Sequence, residues 1–211
     1  MLYITGRGAF MHFCVQNNVK SILIWLILMM VVAVPLYAAA TSPLLAWRDP
    51  VYIAAGFAGV FAMPLLLFQP LLAVGLIPGI GLLQGRRVHC WSGVLLVATV
   101  ILHVVGLWIT SPPDVIDAFL FVSATPFSIW GVLAMWCLFA VATLVVFRQK
   151  LSLRPWVWLL THKMLAAAIV VGSVVHALLI DGTMQFVSKL ALCILVSVAT
   201  GIAMFNVKWR W

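Results

Sequence analysis

Apolar runs about twenty residues long recur along this chain, and they constrain its fold more than any other feature. One is SILIWLILMMVVAVPLYAAAT, residues 21–41, and comparable runs follow to residue 206. A run of about 18 or more apolar residues is long enough to cross a hydrocarbon core of about 30 Å as a helix. Of the 211 residues 66% are hydrophobic and only 8% are charged. A water-facing globule of this length carries about 25% charged residues. The chain therefore reads as an integral membrane protein, and no stretch remains for a separate soluble domain.

The segments fall at 21–41, about 51–77, 88–110, 126–147, 156–180 and 186–206. Pro64 and Pro70 should kink or interrupt the second, and Pro78 with the following glycines should end it. Ser111 and the double proline stop the third. Val115, Ile116, Phe119 and Leu120 then share one face of a short amphipathic stretch, suited to the membrane interface. Pro126 suits the first position of the fourth helix. Residues 1–20 read as a polar leader, 21–206 as the transmembrane domain and 207–211 as a short tail. Met11 is an alternative start. Lys20 and YAAA give the first segment a signal-peptide look, but its length favours a retained helix.

A net charge of +8 in a soluble protein would suggest nucleic acid. Here its distribution reports topology instead, and no nucleic-acid partner is expected. With a cytoplasmic N-terminus, the inner segments hold Arg7, Lys20, Arg86, Arg87, Arg148, Lys150, Arg154, Lys163, Lys208 and Arg210. The outer loops hold only Arg48 and Lys189, with all four acids, Asp49, Asp114, Asp117 and Asp181. The positive-inside rule then gives an all-α bundle of six transmembrane helices with both termini cytoplasmic. Trp209 and Trp211 would join an interfacial aromatic belt.

Ionisable groups within a bilayer are costly and usually functional. Four histidines lie in or at the ends of these segments, in two equal pairs: His89 and His103, then His162 and His176, each fourteen positions apart. At about 100° per residue both members of a pair share roughly one helix face. At a rise of about 1.5 Å per residue they stand about 21 Å apart along the axis. Both segments run from inside to outside, so His89 is level with His162 and His103 with His176. Each level offers two imidazoles. A zinc or copper ion needs three or four converging donors. Haem brings four equatorial nitrogens of its own, so two imidazoles complete the iron. The pattern predicts two haems, one near each leaflet. The alternative role for the imidazoles is polar contact between helices in a haem-free transporter or assembly protein. His12 has no partner at a useful spacing.

Other features are weaker. Gly93, Ala98, Ala166, Ala167 and Gly172 leave room for a flat macrocycle or for close helix packing. Arg86, Arg87, Arg154 and Lys163 suit haem propionates or topology. The four aspartates suit a ferric ion, a basic partner or ordinary solvated loops. Cys14, Cys90, Cys137 and Cys193 are isolated, and no CxxCH for covalent haem attachment occurs. GIGLLQG, residues 79–85, lacks the spacing and the preceding strand of a dinucleotide fingerprint.

GRRVHCWSGVLLVATVILHVVGLW and RPWVWLLTHKMLAAAIVVGSVVHALLIDG resemble the ligand helices of the ferric reductase-like transmembrane family. The shared pattern is a basic pair before the first ligand, two equally spaced histidine pairs and six helices, over roughly residues 50–206. The family includes ferric reductases, the membrane domain of NADPH oxidases and the haem-binding subunit of a bacterial periplasmic methionine-sulfoxide reductase system. The resemblance implies an oxidoreductase-like subunit with two b-type haems, ligated by His89 and His162 on the inner side and by His103 and His176 on the outer side. It implies one-electron transfer to an outer acceptor, ferric iron or a periplasmic redox protein. Larger members carry a flavin and nicotinamide module after the last helix, for which this sequence has no motif. Flavin is then expected only through a partner, and electrons from a separate reductase or a quinol. A quinone-linked cytochrome b of another family is a further alternative. The bacterial inner membrane is the expected location.

Overall fold

A computed structural model describes the backbone of residues 5–206 and side chains from residue 18 onward. His12 and Cys14, as side chains, and the closing Trp209 and Trp211 lie outside the described residues. Helix α1 covers Thr5–Ala40, α2 Pro50–Val74, α3 Leu82–Thr110, α4 Pro112–Phe119, α5 Pro126–Val146, α6 Arg148–Leu151, α7 Pro155–Leu179 and α8 Phe186–Asn206. Six stretches are long and apolar enough to span a membrane: Asn18–Ala40 within α1, and the whole of α2, α3, α5, α7 and α8. No strand occurs among the described residues. The protein is an all-α membrane protein, as the apolar runs require.

Local chemistry sets the helix ends. Proline stands at the start of α2, α4, α5 and α7, where its missing N–H is not needed. The Asp49 carboxylate accepts the Val51 N–H at 2.7 Å and caps α2. Gly75, with φ of 70°, closes the same helix in a left-handed conformation, three residues before Pro78. Helix α2 runs on through Pro64 and Pro70, so the expected interruption does not occur. Pro64 is fully buried, and packed neighbours offset the lost hydrogen bonds, as is common in transmembrane helices. Helix α3 starts at Leu82, six residues before the apolar run suggested, which puts Arg86 and Arg87 on the helix. The short amphipathic stretch is helical as α4, with Val115 buried and Phe119 against Trp136.

Helices pair as two hairpins, α2 with α3 and α5 with α7, and α8 packs against α2 and α7. Leu66 and Leu67 of α2, Leu138 of α5, Ile169 of α7 and Leu192 and Val196 of α8 meet in one buried cluster. Within a bilayer, burial alone does not hold helices together, because lipid is as apolar as leucine; close packing through small residues does. Gly106 of α3 lies on Ala55 of α2, where an added Cβ would stand 2.7 Å from the Ala55 Cβ. Gly172 of α7 lies on α5, where an added Cβ would stand 2.9 Å from the Trp130 carbonyl oxygen and 3.0 Å from the Ala134 Cβ. Gly172 is thus a packing residue. Gly172→Leu should cost about 1–3 kcal/mol by forcing α5 and α7 apart, visible as a lower unfolding midpoint in detergent.

Two lysines clamp α7 and α8 reciprocally. Lys163, early in α7, donates from Nζ to the Met204 carbonyl at 2.8 Å, near the end of α8. Lys189, early in α8, donates to the Ile180 carbonyl at 2.7 Å, just past the end of α7. Each amine meets a carbonyl that its own helix leaves unpaired. Lys189 is only 6% exposed and belongs to a spanning helix, not to a loop as its flanking sequence suggested. Lys189→Met removes the donor and leaves Ile180 unsatisfied, which should cost about 1–3 kcal/mol. Chemical unfolding of the solubilised protein reads this directly.

Candidate four-histidine site

Helices α3 and α7 carry the four histidines and belong to different hairpins. They are the third and fifth spans, so they run in the same direction. The structure brings the predicted partners together. The rings of His89 and His162 have centroids 6.3 Å apart at an interplanar angle of 57°. His103 and His176 stand fourteen residues further along the same two helices, at the opposite level. All four are half-buried.

The backbone of the hairpin partner holds three of the rings. His89 Nδ1 lies 3.1 Å from the Gln69 carbonyl oxygen, and His103 Nδ1 lies 2.7 Å from that of Ala55, both on α2. His176 Nδ1 lies 2.8 Å from the Phe127 carbonyl oxygen on α5. A carbonyl only accepts, so in each pair Nδ1 carries the proton and donates. That fixes the tautomer and leaves the Nε2 lone pair available to a metal. Among the described residues no hydrogen bond engages Nε2 of any of the four rings.

The acceptors repeat the histidine spacing. Ala55 and Gln69 are fourteen residues apart on α2, as are His103 and His89 on α3, so each ring meets the carbonyl at its own depth. Two glycines make room for the outer rings. An added Cβ at Gly59 would stand 3.0 Å from His103 Nδ1, and one at Gly131 would stand 2.6 Å from His176 Nδ1. Each glycine sits four residues after the accepting carbonyl, one turn along the same face. Gly59 and Gly131 were not singled out by the sequence. Their signal is a repeat: Ala55 and Gly59 recur as Phe127 and Gly131 at an offset of 72, and the histidines recur at an offset of 73.

The fourth ring is held differently. His162 Nδ1 is buried without a hydrogen-bond partner, as is the neighbouring Trp158 Nε1. The Trp158 indole stacks on the imidazole at 5.2 Å and 15°. The Arg148 guanidinium covers the other part of the indole, 4.4 Å from its ring centre.

These residues fit an iron with two axial imidazoles. Two imidazoles bonded to one metal at about 2 Å each stand with centroids roughly 6 Å apart, close to the 6.3 Å of His89 and His162. Among the described residues no three His, Cys, Asp or Glu side chains converge. Of the basic residues near the inner level, Arg86, Arg87 and Arg154 are exposed, while Lys163 is engaged on α8. Gly93 faces the Gln69 side chain, whose Nε2 donates to Ser92 at 2.8 Å. Asp49 caps α2 and Asp114 accepts the Ser111 hydroxyl, so these two acids have local structural work.

The bundle thus carries six spans, with two histidines at each of two depths. The model of the family described as ferric reductase like transmembrane component matches residues 55–180, and the chain belongs to that family. Comparison with curated proteins and with solved structures gives no match. The matched region runs from Ala55, an acceptor of the ligand set, to Ile180, the acceptor of Lys189. At family level this is a domain for transmembrane electron transfer.

Proposed function

We propose that this protein moves electrons across a membrane, one at a time, through two b-type haems. His89 and His162 are the axial ligands of the inner haem, and His103 and His176 those of the outer one. The observation that carries this reading is four imidazoles at two levels, three of them with Nδ1 committed to backbone carbonyls and Nε2 left to ligate. Helix contact alone accounts for the Nδ1 bonds but gives no use to Nε2. Haem, when bound, supplies an iron that takes up and releases a single electron. The chain's own residues do the rest. The Gln69, Ala55 and Phe127 carbonyls orient three rings and raise their basicity. His89 with His162, and His103 with His176, would hold one haem at each level. The apolar helices exclude water between the levels.

The charge distribution orients the bundle with Arg86, Arg87, Arg148 and Arg154 on the cytoplasmic side. Electrons enter at the His89–His162 level, from a separate reductase or a quinol, and leave at the His103–His176 level. The acceptor is ferric iron or a redox protein outside the membrane, and the bacterial inner membrane is the location that suits this arrangement. Vesicles reconstituted with the haem-loaded protein, a trapped ferric chelate and an impermeant external reductant test the transfer. Reduction of the trapped chelate should depend on both haem and protein. A rate equal to that of protein-free vesicles would refute it.

A further inference from the structure

The two hairpins repeat, and the repeat breaks at one imidazole. Shifting the first hairpin by 72 on α2 and 73 on α3 matches its outer setting, His103 with Ala55 and Gly59, to His176 with Phe127 and Gly131, and leaves the inner setting unmatched. By the same shifts, Gln69, which accepts from His89, corresponds to Val141, and Gly85 corresponds to Trp158. Three positions one turn beyond an acceptor are small: Gly59, Gly131 and Ala73. The fourth is the β-branched Val145. His162 makes no bond to α5; its Nδ1 is buried and unpartnered, and its ring lies flat on Trp158.

The geometry points to Trp158 as a positioning residue of the inner site, an inference that rests on the haem reading above. Its indole, stacked on His162 and covered by Arg148, replaces the backbone carbonyl that holds the other three rings, and leaves His162 the one ligand whose Nδ1 proton is not shared. An imidazole that donates from Nδ1 gains anionic character and becomes a stronger donor to a metal, which favours the oxidised iron. A ring held by stacking alone lacks that gain. Both His162 Nδ1 and Trp158 Nε1 are sealed from solvent, so water cannot supply the acceptor either. The Arg148 cation, 4.4 Å from the indole centre, adds positive charge beside the stack and favours the reduced iron further. Trp158 thus holds the inner reduction potential above the value a carbonyl-bonded pair would give, which makes the inner site the readier receiver of an electron from the donor.

Potentiometric titration of the haem-loaded protein tests this, following the haem absorbance. His89→Leu first identifies the inner wave as the one it removes. Trp158→Leu opens the Nδ1 edge of His162 to water, and should move that wave alone to lower potential. At a fixed ambient potential near the midpoint, the ratio of reduced to oxidised inner haem should fall several-fold. Trp158→Phe keeps a stacked ring and should leave the wave near its wild-type position, a rescue that a space-filling role without contact to His162 would not require. Arg148→Gln, an exposed change that tests the same stack where Trp158→Leu fails to accumulate, should move the same wave in the same direction. An inner wave that stays in place in these variants, moves upward, or moves together with the outer wave overturns the inference. A wild-type protein without either wave overturns the haem reading itself, and a wild-type protein with two waves that no variant shifts overturns the Trp158 inference alone.

Discussion

Replacing His176 by leucine should roughly halve the haem bound per chain and lower transmembrane electron transfer by more than about a hundredfold. The two effects have one cause. His176 is the proposed partner of His103 at the outer level, and its Nδ1 donates to the Phe127 carbonyl at 2.8 Å. Leucine fills similar space without a donor atom, so the outer site keeps one imidazole and loses its grip. The inner pair stands about 21 Å away along the helices and shares no hydrogen bond with it. Pyridine extraction of purified protein counts the haem, and the vesicle assay reads the transfer. Full haem content in His176→Leu would remove this residue from the ligand set. His103→Leu should behave alike, and equal outcomes for the two variants would mark them as members of one site.

The second large effect should come from a residue with no chemistry of its own. Gly131 faces the His176 ring, and a Cβ there would stand 2.6 Å from Nδ1, closer than any real side chain allows. Gly131→Leu should push the ring from its carbonyl and abolish outer haem binding, while the rest of the bundle pays about 1–3 kcal/mol for overpacking. Gly131→Ala should give a graded version of the same loss, because its single methyl still displaces the ring. Haem spectra set beside a thermal melt separate the two effects. Loss of outer haem with a folded bundle is expected. Loss of both haems only together with unfolding would make Gly131 a packing residue and no more.

The sequence displayed the four histidines of the candidate site because polar residues stand out in an apolar background. His103 and His176 lie within spanning helices, where an ionisable group is costly and usually functional. The proline starts of α2, α5 and α7 were equally legible, since Pro50, Pro126 and Pro155 act through local geometry alone. What the sequence hid acts across helices. The Ala55, Gln69 and Phe127 carbonyls belong to the backbone, and residue type says nothing of them. Gly59 and Gly131 look like any glycine in a transmembrane helix until the 72-residue repeat is noticed. Nothing in the sequence singles out Trp158, because its stack on His162 depends on the turn between them. Lys189 reads as a loop charge, because the carbonyl that receives it lies nine residues back, past the end of α7. Of the kink or interruption expected at Pro64 and Pro70, the interruption does not occur, and α2 is packed against α3 and α8 along this stretch.

One spectrum tests the central claim most directly. The protein, purified in mild detergent from haem-sufficient cells, should give a reduced-minus-oxidised difference spectrum of b-type haem. Its oxidised form should give low-spin electron paramagnetic resonance signals, as two axial imidazoles per iron require. His89→Leu and His176→Leu should each remove a different part of that signal. Protein that folds and carries no haem, or carries only high-spin haem that none of the four histidine substitutions alters, would contradict the account.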